Sequence, residues 1–171
     1  MNSKEQYKKE VFAALKEEFG IKNMFAVPAI GRVTVSVGVS AKQKDTKLME
    51  TAEETLKRIT GQKPVRTKAK KSIAGFKIRE GNEVGLMVTL RGARMWDFLT
   101  KLTQVTFPRI RDFRGISRKQ VDKQGNISLG FKENLAFPEI RPDEVDRLHG
   151  LQVTISTNAG SRERGVKLFE G

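Results

Sequence analysis

Apolar residues open the chain at helical spacing: Tyr7, Val11, Phe12, Leu15 and Phe19, with Lys8, Lys9, Glu10, Lys16 and Glu17 between them. This pattern predicts an amphipathic helix over about residues 4–19, stopped at Gly20. The period then changes to two. From Arg32 to Ser40, Val33, Val35, Val37 and Val39 alternate with Thr34, Ser36, Gly38 and Ser40, which predicts a strand with its valines in the core and small polar residues on the opposite face. Asp45 or Thr46 can cap a second helix carrying Leu48, Met49, Ala52, Leu56 and Ile59, which stops at Gly61 with Pro64 beyond. A strand over Val84–Leu90 precedes a helix after Gly92 whose core stripe is Met95, Trp96, Leu99 and Leu102. A turn at Asp122–Asn126 leads to a strand over Ile127–Phe131. Leu151–Thr157 alternates again, and Ser161 can cap a last helix bearing Val166, Leu168 and Phe169.

Two stretches break these periods. Lys63–Gly81 holds seven cations against Glu80 alone, with Ser72, Gly75 and Gly81 among them; it predicts an exposed loop rather than a packed strand. Phe107–Ile116 interleaves Arg109, Arg111 and Arg114 with aromatic and aliphatic residues, and Pro108 excludes a regular helix interior there. The order of elements predicts an α+β fold: an antiparallel or mixed sheet with helices packed on one face and a long basic loop. The other face would carry Thr34, Ser36, Gly38, Thr89 and Arg91, with Thr154 and Ser156. Small hydroxyl residues and glycine let a rigid backbone come close, and RNA offers phosphates and 2′-hydroxyls to bond them. No repeat or low-complexity linker divides the chain, so a single domain over residues 1–171 is expected.

Composition narrows the chemistry. Without cysteine there are no disulfides, thiolate metal sites or cysteine nucleophiles, and one histidine argues against imidazole catalysis or a His-cluster metal site. Asp143, Glu144 and Asp146 stand between Arg141 and Arg147, the pattern of a solvated helix start, and His149 beside Gly150 reads as a turn histidine. Gly75 and Gly81 lack the Gly-Lys-Ser/Thr ending of a phosphate-binding loop. No enzyme, cofactor or metal is expected. The N-terminal residues have neither the apolar run of a secretory leader nor the acid-poor composition of a transit peptide, and no apolar stretch is long enough to span a bilayer. A soluble, cytoplasmic protein is therefore expected, with no membrane partner.

The formal net charge of +13 asks for a polyanion. Ten of these thirteen charges lie in Lys63–Gly81 and Arg109–Lys119, so the excess is concentrated. Within the first, Ser72-Ile73-Ala74-Gly75-Phe76 sets apolar residues and a glycine amid cations, as a loop docking on folded RNA requires.

Gly61-Gln62-Lys63-Pro64, the run Lys70 to Arg79, Val88-Thr89-Leu90-Arg91-Gly92, Met95-Trp96, the run Phe107 to Gly115, and Phe137-Pro138-Glu139-Ile140 occur in this order. Together they closely resemble the bacterial-type large-subunit ribosomal protein L five family, from the first helix to the last. The resemblance implies a component of the central protuberance of the large subunit. It would bind 5S rRNA and 23S rRNA, contact peptidyl-site tRNA through a basic loop of about residues 68–83, neighbour other central-protuberance proteins, and bridge to small-subunit protein S thirteen. It implies 5S rRNA contacts at Ser36, Gln62 and Thr89, with Thr67, Lys68 and Arg91 beside them. Lys71, Ser72, Gly75, Phe76, Lys77 and Arg79 fall to the tRNA-facing loop, and Arg109, Arg111 and Arg114 to further rRNA or bridge contacts. The free protein would be a monomer. One departure is Ser36, where relatives usually have Asn; the shorter side chain lacks the amide. Relatives also continue past the final Phe with a Gly-Phe-Pro-Phe-like tail, where this sequence has Glu170-Gly171. The competing expectations are a free-standing RNA-binding module or RNA chaperone outside the ribosome, and an enzyme acting on RNA, which would need a carboxylate pair or metal site on the sheet.

Overall fold

A computed structural model describes residues 3–38, 46–72, 80–110, 115–132, 137–140 and 150–171. Its five strands are β1 (Ile30–Gly38), β2 (Val65–Lys68), β3 (Glu83–Leu90), β4 (Ile127–Phe131) and β5 (Leu151–Thr157). They form one antiparallel sheet in the order β2-β3-β1-β5-β4. The helices are α1 (residues 3–18), α2 (Thr46–Thr60), α3 (residues 92–109) and α4 (Arg162–Glu170). This is the α+β architecture expected from the alternation of periods. The chain divides into two compact units, one of Met1–Val33, Leu90–Leu129 and Thr154–Gly171, the other of Thr34–Thr89 and Gly130–Val153.

In the first unit, α1 buries Val11 and Leu15 against Val27 and Leu168, with Tyr7, Phe12, Phe19, Ile21 and Ile30 packed around them. The Tyr7 hydroxyl donates to the Pro28 carbonyl at 2.9 Å, and its ring lies 5.7 Å from that of Trp96. The core stripe of Met95, Trp96, Leu99 and Leu102 is as the spacing predicts, although Trp96 is only half-buried. Helix α3 runs on through a π-helical segment, Leu102–Thr106, into a final turn, Phe107–Arg109. Pro108 stands where the Phe107 N–H has just bonded the Leu102 carbonyl, so its missing donor falls at a change of register and not inside a regular ladder. Ser161 caps α4 by accepting from the Arg164 N–H at 3.4 Å. The turn before β4 is held by the Asp122 carboxylate, which accepts the N–H groups of Asn126 and Gln124, each at 2.9 Å. Gly125 in that turn has φ +86°, and it meets α4 so closely that a Cβ on Gly165 would stand 2.5 Å from the Gly125 Cα. Neither position accepts a side chain without a backbone shift.

In the second unit, Leu48, Met49, Ala52, Leu56 and Ile59 of α2 are buried, as are Val35 and Val37 of β1 and Leu86 and Val88 of β3. Gly61 ends α2 at φ +72°, its N–H bonded to the Lys57 carbonyl at 2.9 Å. The structure corrects one expectation: the basic stretch after Lys63 is not loop throughout, because Val65–Lys68 forms edge strand β2, paired antiparallel with β3. The reason is tertiary. An edge strand needs hydrogen bonds on one side only, and Arg66, the charge that most argues against a packed strand, is neutralised by Glu53 of α2 and Glu83 of β3, each at 3.0 Å.

Candidate nucleic-acid interface

The second unit turns the alternate residues of its strands to a face of their own. On β1 these are Thr34, Ser36 and Gly38; on β3 they are Gly85, Met87 and Thr89. The β2–β3 register sets Val65 opposite Met87, Arg66 opposite Leu86 and Thr67 opposite Gly85. Leu86 is buried toward α2, so Arg66 belongs to that side too, where Glu53 receives it. Val65, Thr67, Gly85 and Met87 therefore share the opposite face. Its floor is tight. A Cβ built on Gly85 would lie 2.5 Å from the Val37 carbonyl oxygen and 3.1 Å from Thr67 Oγ1, so Gly85 is buried where the β1 backbone and the Thr67 side chain already take the place of a side chain.

Ser36, Thr67 and Thr89 are half-buried on these three adjacent strands, and the fold brings them onto one face. Gln62, also half-buried, sits in the turn between α2 and β2, with its N–H 3.3 Å from Thr60 Oγ1. Lys68 is exposed at the end of β2. Arg91 and Arg109 belong to the other unit, Arg91 extended and exposed before α3 and Arg109 exposed in its last turn.

Beyond β2 and β3 the chain forms a hairpin neck. The Ala69 N–H bonds the Asn82 carbonyl at 2.8 Å, the Gly81 N–H bonds the Ala69 carbonyl at 3.0 Å, and Ser72 Oγ accepts from the Glu80 N–H at 2.9 Å. Lys70, Lys71 and Ser72 are exposed on it. Gly75, Phe76, Lys77 and Arg79 lie outside the described residues, as do Arg111, Arg114, the carboxylates at 143–146 and His149.

The charges of this region do not all have the same role. Hydrogen bonds to Glu53 and then to Glu83 raise the Arg66 guanidinium above its ordinary value, so this cation ties β2 to α2 and β3 and faces away from the hydroxyl surface. Lys63, Lys68, Lys70 and Lys71 are exposed. Two features of the face escape a reading of the sequence: the apolar pair Val65 and Met87, exposed by 64% and 39%, and the close approach of the β1 backbone to Gly85. Alternation about Thr89 puts Met87 on its side, but only the register discloses Val65 as its neighbour.

Among the described residues no three His, Asp or Glu side chains are grouped to hold a metal ion. A cavity of about 400 Å³ in the first unit is lined mainly by aliphatic and aromatic residues, including Tyr7, Trp96, Leu102 and Phe107; Arg118 and Glu170 at its wall pair with each other. Among the described residues, no helix is long and apolar enough to cross a membrane.

A hydroxyl-bearing sheet face beside exposed lysines has the chemistry that contact with an RNA backbone requires. Residues 23–79 match the family model described as Ribosomal protein L5, and residues 83–171 match the model of the C-terminus of the same ribosomal family. The chain is 51% identical over 166 residues to the large ribosomal subunit protein uL5 of Marinomonas sp., covering 97% of this chain and 93% of that one. It is 50% identical over 167 residues to the uL5 of Francisella tularensis subsp. novicida, covering 98% and 93%. The chain belongs to the ribosomal protein L5 family.

Proposed function

We infer that this chain is a structural, non-enzymatic constituent of the large ribosomal subunit, working in the bacterial cytoplasm with rRNA and other large-subunit proteins. Within that setting we propose that the hydroxyl face of Ser36, Thr67 and Thr89, with Gln62 at its margin, holds 5S rRNA, while Lys68 and Arg91 neutralise phosphates. Each hydroxyl both donates and accepts, so it can serve a phosphate oxygen or a 2′-hydroxyl without rearrangement. The observation that carries this reading is the placing of Ser36, Thr67 and Thr89 on one face of three adjacent strands, with the exposed Lys68 at the end of β2.

The hairpin loop from Ser72 to Gly81, through Lys71, Gly75, Phe76, Lys77 and Arg79, is proposed to reach peptidyl-site tRNA. Arg109, Arg111 and Arg114 are proposed to meet 23S rRNA or small-subunit protein S thirteen at the bridge. The neck supports the first assignment, since the bonds at Ala69 and Ser72 close the hairpin base independently of what the loop touches. A filter-binding titration with isolated 5S rRNA tests the division: Thr89→Ala and Gln62→Ala weaken binding, and Arg79→Ala leaves it intact while slowing translation. If Arg79→Ala causes the largest loss in the titration, the division is wrong.

A further inference from the structure

We propose that the π-helical segment Leu102–Thr106 of α3 is a register switch: a one-residue slip converts it to a regular α-turn and carries Arg109 to another side of the helix. The switch belongs to the helix itself and does not depend on what the sheet face binds. The Phe107 N–H bonds the Leu102 carbonyl, five residues back, where a regular helix would bring the Thr106 N–H to that oxygen. Thr106 bears the consequence. In the helices Thr55, Thr60, Thr100 and Thr103 each donate the hydroxyl to the carbonyl four residues back, at 2.9, 2.6, 2.9 and 3.0 Å. For Thr106 that carbonyl is the one turned to Phe107, and its hydroxyl is fully buried without a hydrogen-bond partner.

A buried hydroxyl without a bond opposes the π register. Pro108 opposes the regular one, because in an α-helix its ring would meet the Gln104 carbonyl, and the wider π turn relieves that clash. Two penalties of similar size therefore stand against each other, and the registers differ little in free energy. The slip also has few atoms to move. Only Phe107–Arg109 follow in the helix, and Ile110 is already extended, with ψ at 126°. Phe107 lines the cavity of about 400 Å³, which gives its ring space to re-seat. One residue of slip turns the last turn by about 100° and shifts it by about 1.5 Å, enough to redirect the exposed Arg109. The π segment of α1, Tyr7–Val11, contains neither threonine nor proline and has no such opposing pair.

NMR relaxation dispersion on the full chain, free in solution, tests the switch. Amides of residues 103–109 should exchange with a minor register populated at about 1 to 10%, while those of Tyr7–Val11 should not. Thr106→Val removes the unbonded hydroxyl and keeps the volume; it should raise the thermal midpoint and lower the minor population about tenfold. Thr106→Ser, which keeps the hydroxyl, should retain the exchange. Pro108→Ala should raise the α register about a hundredfold relative to the π register, making it the major state. Scalar coupling across the hydrogen bond would then join the Leu102 carbonyl to the Thr106 amide in place of the Phe107 amide. A Leu102–Phe107 coupling that persists in Pro108→Ala overturns the proposal. So does a wild type without exchange, or exchange that Thr106→Val leaves unchanged. Loss of exchange in Thr106→Ser as well would assign the effect to packing, and the switch would fall.

Discussion

The sheet face and the hairpin neck are consecutive parts of one β2–β3 hairpin, yet they are built on opposite plans. On the face, the hydroxyl side chains are small, half-buried and fixed by strand pairing, and among the described residues the exposed apolar ones are the outward pair Val65 and Met87. On the neck the lysines are exposed, and order comes from three backbone or hydroxyl bonds at Ala69, Gly81 and Ser72. A surface of the first kind discriminates by fit, since a wrong shape meets rigid backbone. One of the second kind attracts any phosphate and is weakened by salt. The two should therefore respond to different perturbations.

The largest effect is expected from Gly85→Ala. Its methyl group would lie 2.5 Å from the Val37 carbonyl oxygen, so strands must move. Urea denaturation should show a loss of about 2 kcal/mol, with 5S rRNA affinity falling more than tenfold as β1 and β3 shift; an unchanged midpoint and affinity would remove the close approach of β1 and β3 from the account. Next comes the triple change Lys68→Gln, Lys70→Gln, Lys71→Gln. If all three lysines release counterions, the slope of log K against log salt should become shallower by about 2 to 3, at about 0.7 to 0.9 per cation. A loss of affinity that was the same at every salt concentration would mean that these lysines act by shape.

Smaller in effect is Thr67→Val, which removes the hydroxyl and keeps the volume. The expected loss is about three- to tenfold, the worth of about 1 kcal/mol of hydrogen bonding, at constant salt slope. Smaller again is Ser72→Ala: amide exchange at Glu80 should quicken while 5S rRNA affinity stays at the wild-type value. Asp122, in the turn before β4, is a control for both regions. Its carboxyl is held below the ordinary value by the Asn126 N–H first, with the Gln124 N–H adding to it. A group lowered on folding contributes stability above its unfolded pKa of about 4 and loses it as pH falls through the lowered folded value. The Asp122→Asn variant should lack that acid dependence in urea midpoints, with RNA binding at neutral pH untouched.

Alternation and helical spacing made most of this fold legible. The valines of β1 reach the core as their period requires, and the same period puts Ser36 and Thr89 on the outer face, two of the residues that matter most to the proposed interface. Strand β2 was not legible, because its pairing draws on Glu53 and Glu83, thirteen and seventeen residues from Arg66, and no local window shows that the charge is matched. Gly85 had the same difficulty. A glycine in a strand is an ordinary weak point until the register reveals a carbonyl where its side chain would be. The continuation of α3 through Pro108 depends on a shift of register that spacing alone does not encode.

The meeting of Gly125 with Gly165 bears on how this sequence can change over time. At most surface turns a substitution is judged alone, but here two backbones are in contact and each position vetoes changes at the other. Turn and helix must drift together or stay as they are. In a collection of variants selected for growth, these two sites should be among the last to vary, although neither lies on the surface proposed to touch RNA.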